Sequence, residues 1–436
     1  MKLKNMIQKF SAINIFLIFF MLFFYQNIQA IEKVVLNNGL TIIYKKNIQT
    51  KMAVCDLFIK GGNFNEKAGK YGITSLMHKL LLKGTGVLTK DEISKQTEFL
   101  GSTLNTDIFN DFSEVWFVCP KESFNSVFHI LVDVVKDPIF NEEEIRNEKN
   151  VACASIRMQK DNIFGYSYQS FNKLMYGEFP YSRLITGDES SVLAITREDI
   201  LEYHTDYFAA NNLIFVFMGD LNFKEIVRVI EKEFGDMLPN GMLKQDSAKS
   251  LAFNDTTIIR QRSVFNQAYL MIGFLAPEVA SFDYTKMKLI NTLIGEGENS
   301  KIFSNLREKY GFSYELGSFY PSRKYSSQLV IYAGLNKANI EKARSAILEE
   351  VKQFPESVTE REIISAKASL IGRFTLDHQS LKKQAWYLGF FEILGRGSEY
   401  DSSYPYDIAG LLPDNLRETA KKYLKETNWK CLEISQ

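Results

Sequence analysis

Histidine is scarce in this sequence. The 436 residues hold four, His78, His129, His204 and His378, and none stands in an H-x-x-H or carboxylate-flanked pattern, so no ready-made histidine metal site is written here. Cysteine is equally sparse. Cys55, Cys119, Cys153 and Cys431 lie far apart without any C-x-x-C spacing, which excludes a compact zinc-thiolate site. Net charge is absent as well: 52 Lys and Arg balance 52 Asp and Glu. No overall field therefore favours nucleic acid or an anionic membrane surface.

What is present begins with an amino-terminal leader. Lys2, Lys4 and Lys9 precede an apolar run from Ile13 to Phe24, followed by a polar stretch ending at Ala30. That is the pattern of a secretory signal peptide over residues 1–30, and it places the mature chain in the periplasm or outside the cell. The run is shorter than the ~20 residues that span a bilayer, which favours cleavage after Ala30. Ile28 is large for its place before the cut, and an uncleaved membrane anchor is the other reading. In an exported chain disulfides form readily, and Cys55 with Cys119 is the pair to test, since both lie in strand-like runs of one half. Four buried apolar thiols are the alternative.

The mature chain, with 45% apolar and 24% charged residues, is long enough for two cores, and it repeats itself. Ala268, opening AYLMIGF, lies 215 residues after Ala53, opening AVCDLFI; Ile363 in TEREIISAKASLIGRF lies 218 after Ile145 in NEEEIRNEKNVACASI; Asn428 lies 216 after Asn212. Three segments holding one offset indicate duplication of a unit of about 200 residues. The linker is residues 236–255, rich in Pro, Gly and small polar residues, between lobes at 31–235 and 256–436. Each lobe mixes period-2 runs such as SEVWFVC with helical stripes such as Ile73, Leu76, Met77, Leu80 and Leu81. The expected fold is α+β: two homologous lobes, each a mixed, mostly antiparallel sheet with helices layered on one side.

YGITSLMHKLLLKGT, from Tyr71 to Thr85, resembles the signature helix of the insulinase and pitrilysin metallopeptidases, with its Gly, its H-x-x-E-H core and its closing Lys-Gly-Thr. GSTLNTDIFNDFSEVWF, NLIFVFMGDL, IGEGENSKIFSNLREKYGFSY and LIGRFTLD match further landmarks, so the resemblance covers essentially the whole mature chain. In that family the two His bind zinc and the Glu takes a proton from the metal-bound water. In the same frame this chain has Ser75, His78 and Lys79. A hydroxyl is a poor neutral ligand and an ammonium offers no lone pair. At about 4 Å and an effective dielectric of about 20, Lys79 would repel a divalent ion by about 8 kcal/mol. The family's third ligand, a downstream Glu, falls at Ala154 and Ser155 in EKNVACASI. The expectation is a degenerate zinc site that holds no metal. His78 on its helix is expected at a polar surface or in a cleft.

The second lobe keeps what the first has lost. Arg307 and Tyr314 in LREKYGFSY stand seven apart, as in the family's Arg and Tyr pair. The resemblance implies that they hold the substrate carbonyl and its developing oxyanion. By themselves the two residues also suit an Arg at a helix C-terminus and a half-buried strand Tyr. Asn105 corresponds to a family Asn beside the strand that pairs with substrate main chain. The implied function is that of a zinc-free subunit that binds peptide or unfolded polypeptide and completes the active site of an H-x-x-E-H paralogue, as a heterodimer, with a homodimer as the other arrangement. Zinc is expected only in the partner. A stand-alone peptide-binding or scaffold protein without proteolysis is the alternative.

Overall fold

The computed structural model describes residues 30–159, 161–241, 251–253, 255–304, 306, 311 and 313–436, with the side chains of Ser313 and Tyr314 excepted. Residues 1–29 of the leader, half of the inter-lobe linker and Arg307 lie outside the described residues.

In the first half, β1 (Ile31–Val35), β2 (Thr41–Lys46) and β3 (Met52–Ile59) precede α1 (Ile73–Leu81) and α2 (Lys90–Phe99). Next come β4 (Thr103–Ile108), β5 (Ser113–Pro120), α3 (Phe124–Lys136), α4 (Glu142–Gln159) and α5 (Ile163–Tyr176). The half closes with α6 (Glu189–Ala194), α7 (Arg197–Tyr207), β6 (Leu213–Gly219) and α8 (Phe223–Phe234). The second half runs β7 (Thr256–Arg262), β8 (Ala268–Ala276), α9 (Tyr284–Ile294), β9 (Ser313–Phe319) and β10 (Ser327–Leu335). After these come α10 (Ile340–Ser357), α11 (Glu360–Asp377), α12 (Leu381–Ile393), α13 (Tyr400–Gly410), α14 (Pro413–Tyr423) and β11 (Trp429–Ser435).

The sheets have orders β1-β2-β6-β3-β5-β4 and β7-β11-β8-β10-β9. Setting β1 aside, the two are the same sheet: β2 with β6 and β7 with β11 are the parallel pairs, and every other pairing is antiparallel. The matched segments of the sequence repeat fall on matching elements, AVCDLFI on β3 and AYLMIGF on β8. Alternation sends Ala53, Cys55, Leu57 and Ile59 into a core with α1, α3 and α7, the one-sided helical layer that the pattern anticipates.

The opposite faces carry something the pattern does not display. Val54 and Phe58 of β3 join the core of the second half, against Leu388 and Phe391 of α12. Reciprocally, Phe171, Met175 and Tyr176 of α5 cover Tyr269 and Met271 of β8. Each half thus lends one helix to the far face of the other's sheet. At one crossing Phe58 of β3 meets Gly389 of α12, where a Cβ would lie 2.1 Å from the ring; at the other Phe171 of α5 meets Gly273 of β8, at 2.5 Å. Gly273 is 215 residues after Phe58 and Gly389 is 218 after Phe171, so duplicated positions hold the large and the small partner in reversed roles.

All four cysteines are free and buried. The Cys55–Cys119 pair does not form, and the register says why. Cys119 sits opposite Ala53 while Cys55 sits opposite Phe117, so the two are diagonal neighbours, about 7–8 Å apart by strand geometry, beyond disulfide reach. Burial pushes the Cys119 thiol up to about 12, which keeps it inert. Among the described residues no helix is long and apolar enough to cross a membrane.

Candidate functional site

The site is built around α1. Its N-terminus is fixed by Glu66, whose carboxylate accepts the backbone N–H groups of Gly72 at 2.8 Å and Thr74 at 3.0 Å. An anion there suits the helix dipole. Burial nevertheless raises Glu66 to about 7, against the pull of those hydrogen bonds. Gly72 has φ +93° with the Thr186 carbonyl 2.5 Å from where a Cβ would stand, so no other residue fits the turn. The Thr74 and Tyr203 hydroxyls, 2.7 Å apart, tie α1 to α7.

Every residue of α1 is buried except Lys79. The expectation of a surface or cleft position for His78 is therefore corrected: its side chain is fully buried, with the Phe208 ring 5.8 Å away and His204 close by. Among the described residues neither ring nitrogen finds a hydrogen-bond partner. Desolvation, helped by His204, lowers His78 to about 3, so the ring is neutral. The physical reason is that α7 and the chain after it cover the flank of α1 that a helical wheel leaves polar. Ser75 is likewise buried.

Lys79 opens onto a cavity of about 480 Å³. Its walls come from the end of α1, from α2, from Glu148 of α4, and from β4, where Asn105 stands in the middle of the strand. β4 is the edge of its sheet: β5 pairs with it on one side, with Asn105 opposite Trp116, and no described strand pairs with the other. The Asn105 amide donates to the carbonyl and the hydroxyl of Thr103 at 3.0 and 3.1 Å, which pins it along the strand. Lys83 pairs with Glu148 at 2.7 Å, and Lys90 with Glu144 at 3.6 Å.

The structure thus brings together Lys79 and Asn105, while His78 faces away into the core. Ser155 is half-buried on α4, the helix that packs beside α1, but does not line the cavity. Arg307 lies outside the described residues; Tyr314 is in β9, its side chain outside them. Lys83 and Glu148 are among the residues of the cavity that carry no assignment from sequence. The signal for both is spacing: Lys83 follows Lys79 by one helical turn, and Glu148 opens the segment in which Ser155 stands seven residues later.

Zinc does not fit this donor set. The cavity offers an ammonium at Lys79, a carboxylate, Glu148, already held by Lys83, and one exposed carboxylate, Glu98, while the one imidazole of the helix points elsewhere. Among the described residues no group of three His, Cys, Asp or Glu side chains could hold a metal ion.

Two duplicated α+β lobes and a helix bearing a degenerate zinc motif beside an edge strand define a metallopeptidase-type chain. Comparison with known proteins agrees. Residues 41–183 match the family model described as Insulinase (Peptidase family M16), and residues 194–370 match the Peptidase M16 inactive domain. The chain is 22% identical over 365 residues to the uncharacterized zinc protease YmxG of Bacillus subtilis, covering 84% of this chain and 88% of that one. It is 24% identical over 417 residues to the zinc protease PqqE of Helicobacter pylori, covering 91% and 90%. In fold it superposes on the crystal structure of a Helicobacter pylori protease with a TM-score of 0.86 at 20% identity, over 94% of this chain and 100% of that one. A Pseudomonas fluorescens peptidase M16 inactive domain gives 0.86 at 19% identity, over 93% and 98%. The chain belongs to the insulinase family of peptidases.

Proposed function

We propose that this chain is the exported, zinc-free subunit of a peptidase pair, binding peptide in its own lobe and supplying Arg307 and Tyr314 to the active site of an H-x-x-E-H paralogue. The observation that carries this reading is the state of the cavity at α1. The end of a helix and an edge strand bound this space, and its charged side chains are Lys79, the Lys83–Glu148 pair, Lys90, held by Glu144, and the exposed Glu98, which among the described residues gather no set of metal ligands. An extended peptide adding to β4 would gain main-chain hydrogen bonds without any zinc in this lobe. In the partner's site an Arg and a phenol would donate to the developing oxyanion, each such donor contributing on the order of 3 kcal/mol.

The test uses the mature chain alone and mixed with its H-x-x-E-H paralogue. Zinc is measured by metal analysis and cleavage with fluorogenic peptides. The expected result is no stoichiometric zinc and no cleavage by the lone chain, cleavage by the mixture, and a fall of at least 100-fold in kcat/KM when Arg307→Ala is introduced. Stoichiometric zinc in the lone chain refutes the metal assignment. An unchanged kcat/KM for the Arg307→Ala mixture refutes the completion role.

A further inference from the structure

Five of the described residues that line the cavity are charged: Lys79, Lys83, Lys90, Glu98 and Glu148. Lys83 is matched by Glu148 at 2.7 Å and Lys90 by Glu144 at 3.6 Å. The remaining charged groups on the walls are Lys79 and Glu98. Glu98 is exposed on α2 and accepts from the Ser94 hydroxyl at 3.1 Å. Among the described residues no carboxylate lies within ion-pair distance of Lys79, and Lys79 is the one residue of α1 that is not buried. It therefore presents a positive charge, without a counter-ion, to a space bounded by an unpaired strand edge.

We propose that the cavity at Lys79 binds a carboxylate of the peptide that pairs with β4, so that an ammonium takes the place of the metal cation as an anchor for negative charge. This rests on the peptide-binding reading above and adds to it the class of ligand: an extended peptide with a carboxylate at the register position facing Lys79. The geometry supports this class. A strand laid along Thr103–Ile108 runs past Asn105, which lines the same cavity as Lys79, and alternate side chains of an added strand point toward one face. A cavity of about 480 Å³ takes an Asp or Glu side chain or a chain terminus with room for water. Neutral peptide groups at that position leave Lys79 without a counter-charge, and basic groups add like charge, a repulsive element that gives selectivity.

The chemistry has two sources, an acidic side chain or the peptide's terminal carboxylate, and three fluorescein-labelled peptides of one length separate them. One carries Glu residues and a free C-terminus, the second the same sequence amidated, and the third Gln for each Glu. Binding to the full mature chain is followed by fluorescence anisotropy at fixed low salt. The expected result is at least tenfold weaker binding, about 1.4 kcal/mol, for the amidated peptide if the terminus is held, or for the Gln peptide if the side chain is held. Lys79→Met, which keeps the length of the stem, abolishes the discrimination, and Lys79→Arg preserves it. Circular dichroism confirms that both variants remain folded. Equal binding of all three peptides to the unaltered chain overturns this inference and leaves peptide binding standing. Binding of none overturns both. Discrimination that persists in Lys79→Met places the carboxylate elsewhere and also overturns it.

Discussion

His78 occupies the position at which the family's general base stands, yet it is walled into the core, and this makes a sharp prediction about pH. Its neutral form is the native one, with the folded pKa near 3 against about 6.5 for an unfolded histidine. As pH falls, the unfolded chain takes up the proton first, so the contribution of this group is fully present above about pH 6.5 and is lost on the way down toward 3. Between pH 8 and pH 5 linkage gives a loss of about 2 kcal/mol from His78 alone. His78→Leu abolishes this loss. It also removes two buried ring nitrogens that lack partners, so the variant should be no less stable than the parent at pH 8. Urea unfolding of parent and variant at both pH values isolates the effect, because Glu66, Asp56, Glu114 and His204 titrate in both proteins and cancel. The variant is expected to gain about 2 kcal/mol on the parent between pH 8 and pH 5. A difference that does not change with pH refutes the burial of a neutral ring, and with it the exclusion of His78 from the cavity.

Two other perturbations test how the halves are joined. Gly389→Ala drives a methyl group into the Phe58 ring and should cost about 1–3 kcal/mol in urea unfolding. Phe58→Leu in the same chain should recover part of that, so additive losses in the double-mutant cycle would show that the two do not touch. Lys382 of α12 reaches Asp56 at 2.5 Å and Glu114 at 3.2 Å, both buried in the first sheet. Lys382→Met leaves the buried Asp56 and Glu114 pair, with its one ionised carboxylate at pH 8, without a cation and should cost about 3–5 kcal/mol there. Desolvation raises both carboxylates, so they take protons readily in the folded state. The loss should therefore shrink at pH 5, and a loss independent of pH contradicts the assignment.

What could be read from the sequence was local or periodic. The stripe from Ile73 to Leu81 defines α1, the run AVCDLFI defines a central strand, and the repeated offset announces the same sheet twice. What escaped reading depends on residues far away in the chain. Asp56 interrupts an apolar strand for no local reason, and its partner is 326 residues later. His78 looks polar on a helical wheel because the wheel does not know that Phe208 will cover that flank. Cys55 and Cys119 look bondable because register is invisible until the strands pair. In the cavity, Lys79 and Asn105 were legible through the motif frame, whereas the Lys83–Glu148 pair needed the approach of α4 to α1.

The cavity at Lys79 sets several separate obstacles to a cation. A zinc site needs several donors facing one point, and here the obstacles differ in kind. Lys79 must lose its charge before any cation can approach. Glu148 must be released from Lys83, whose ammonium balances a carboxylate that is only slightly exposed. Ser75 is buried in a packed helix where a larger imidazole must displace its neighbours. A metal placed in the cavity would find no base in His78, whose ring lies in the core and cannot take a proton from water in the cavity. Altering Lys83 alone leaves Glu148 without its cation, and altering Glu148 alone leaves Lys83 without its counter-charge. None of these obstacles alters the edge of β4, where among the described residues no strand pairs with the outer side and the backbone stands free of the side chains in the cavity.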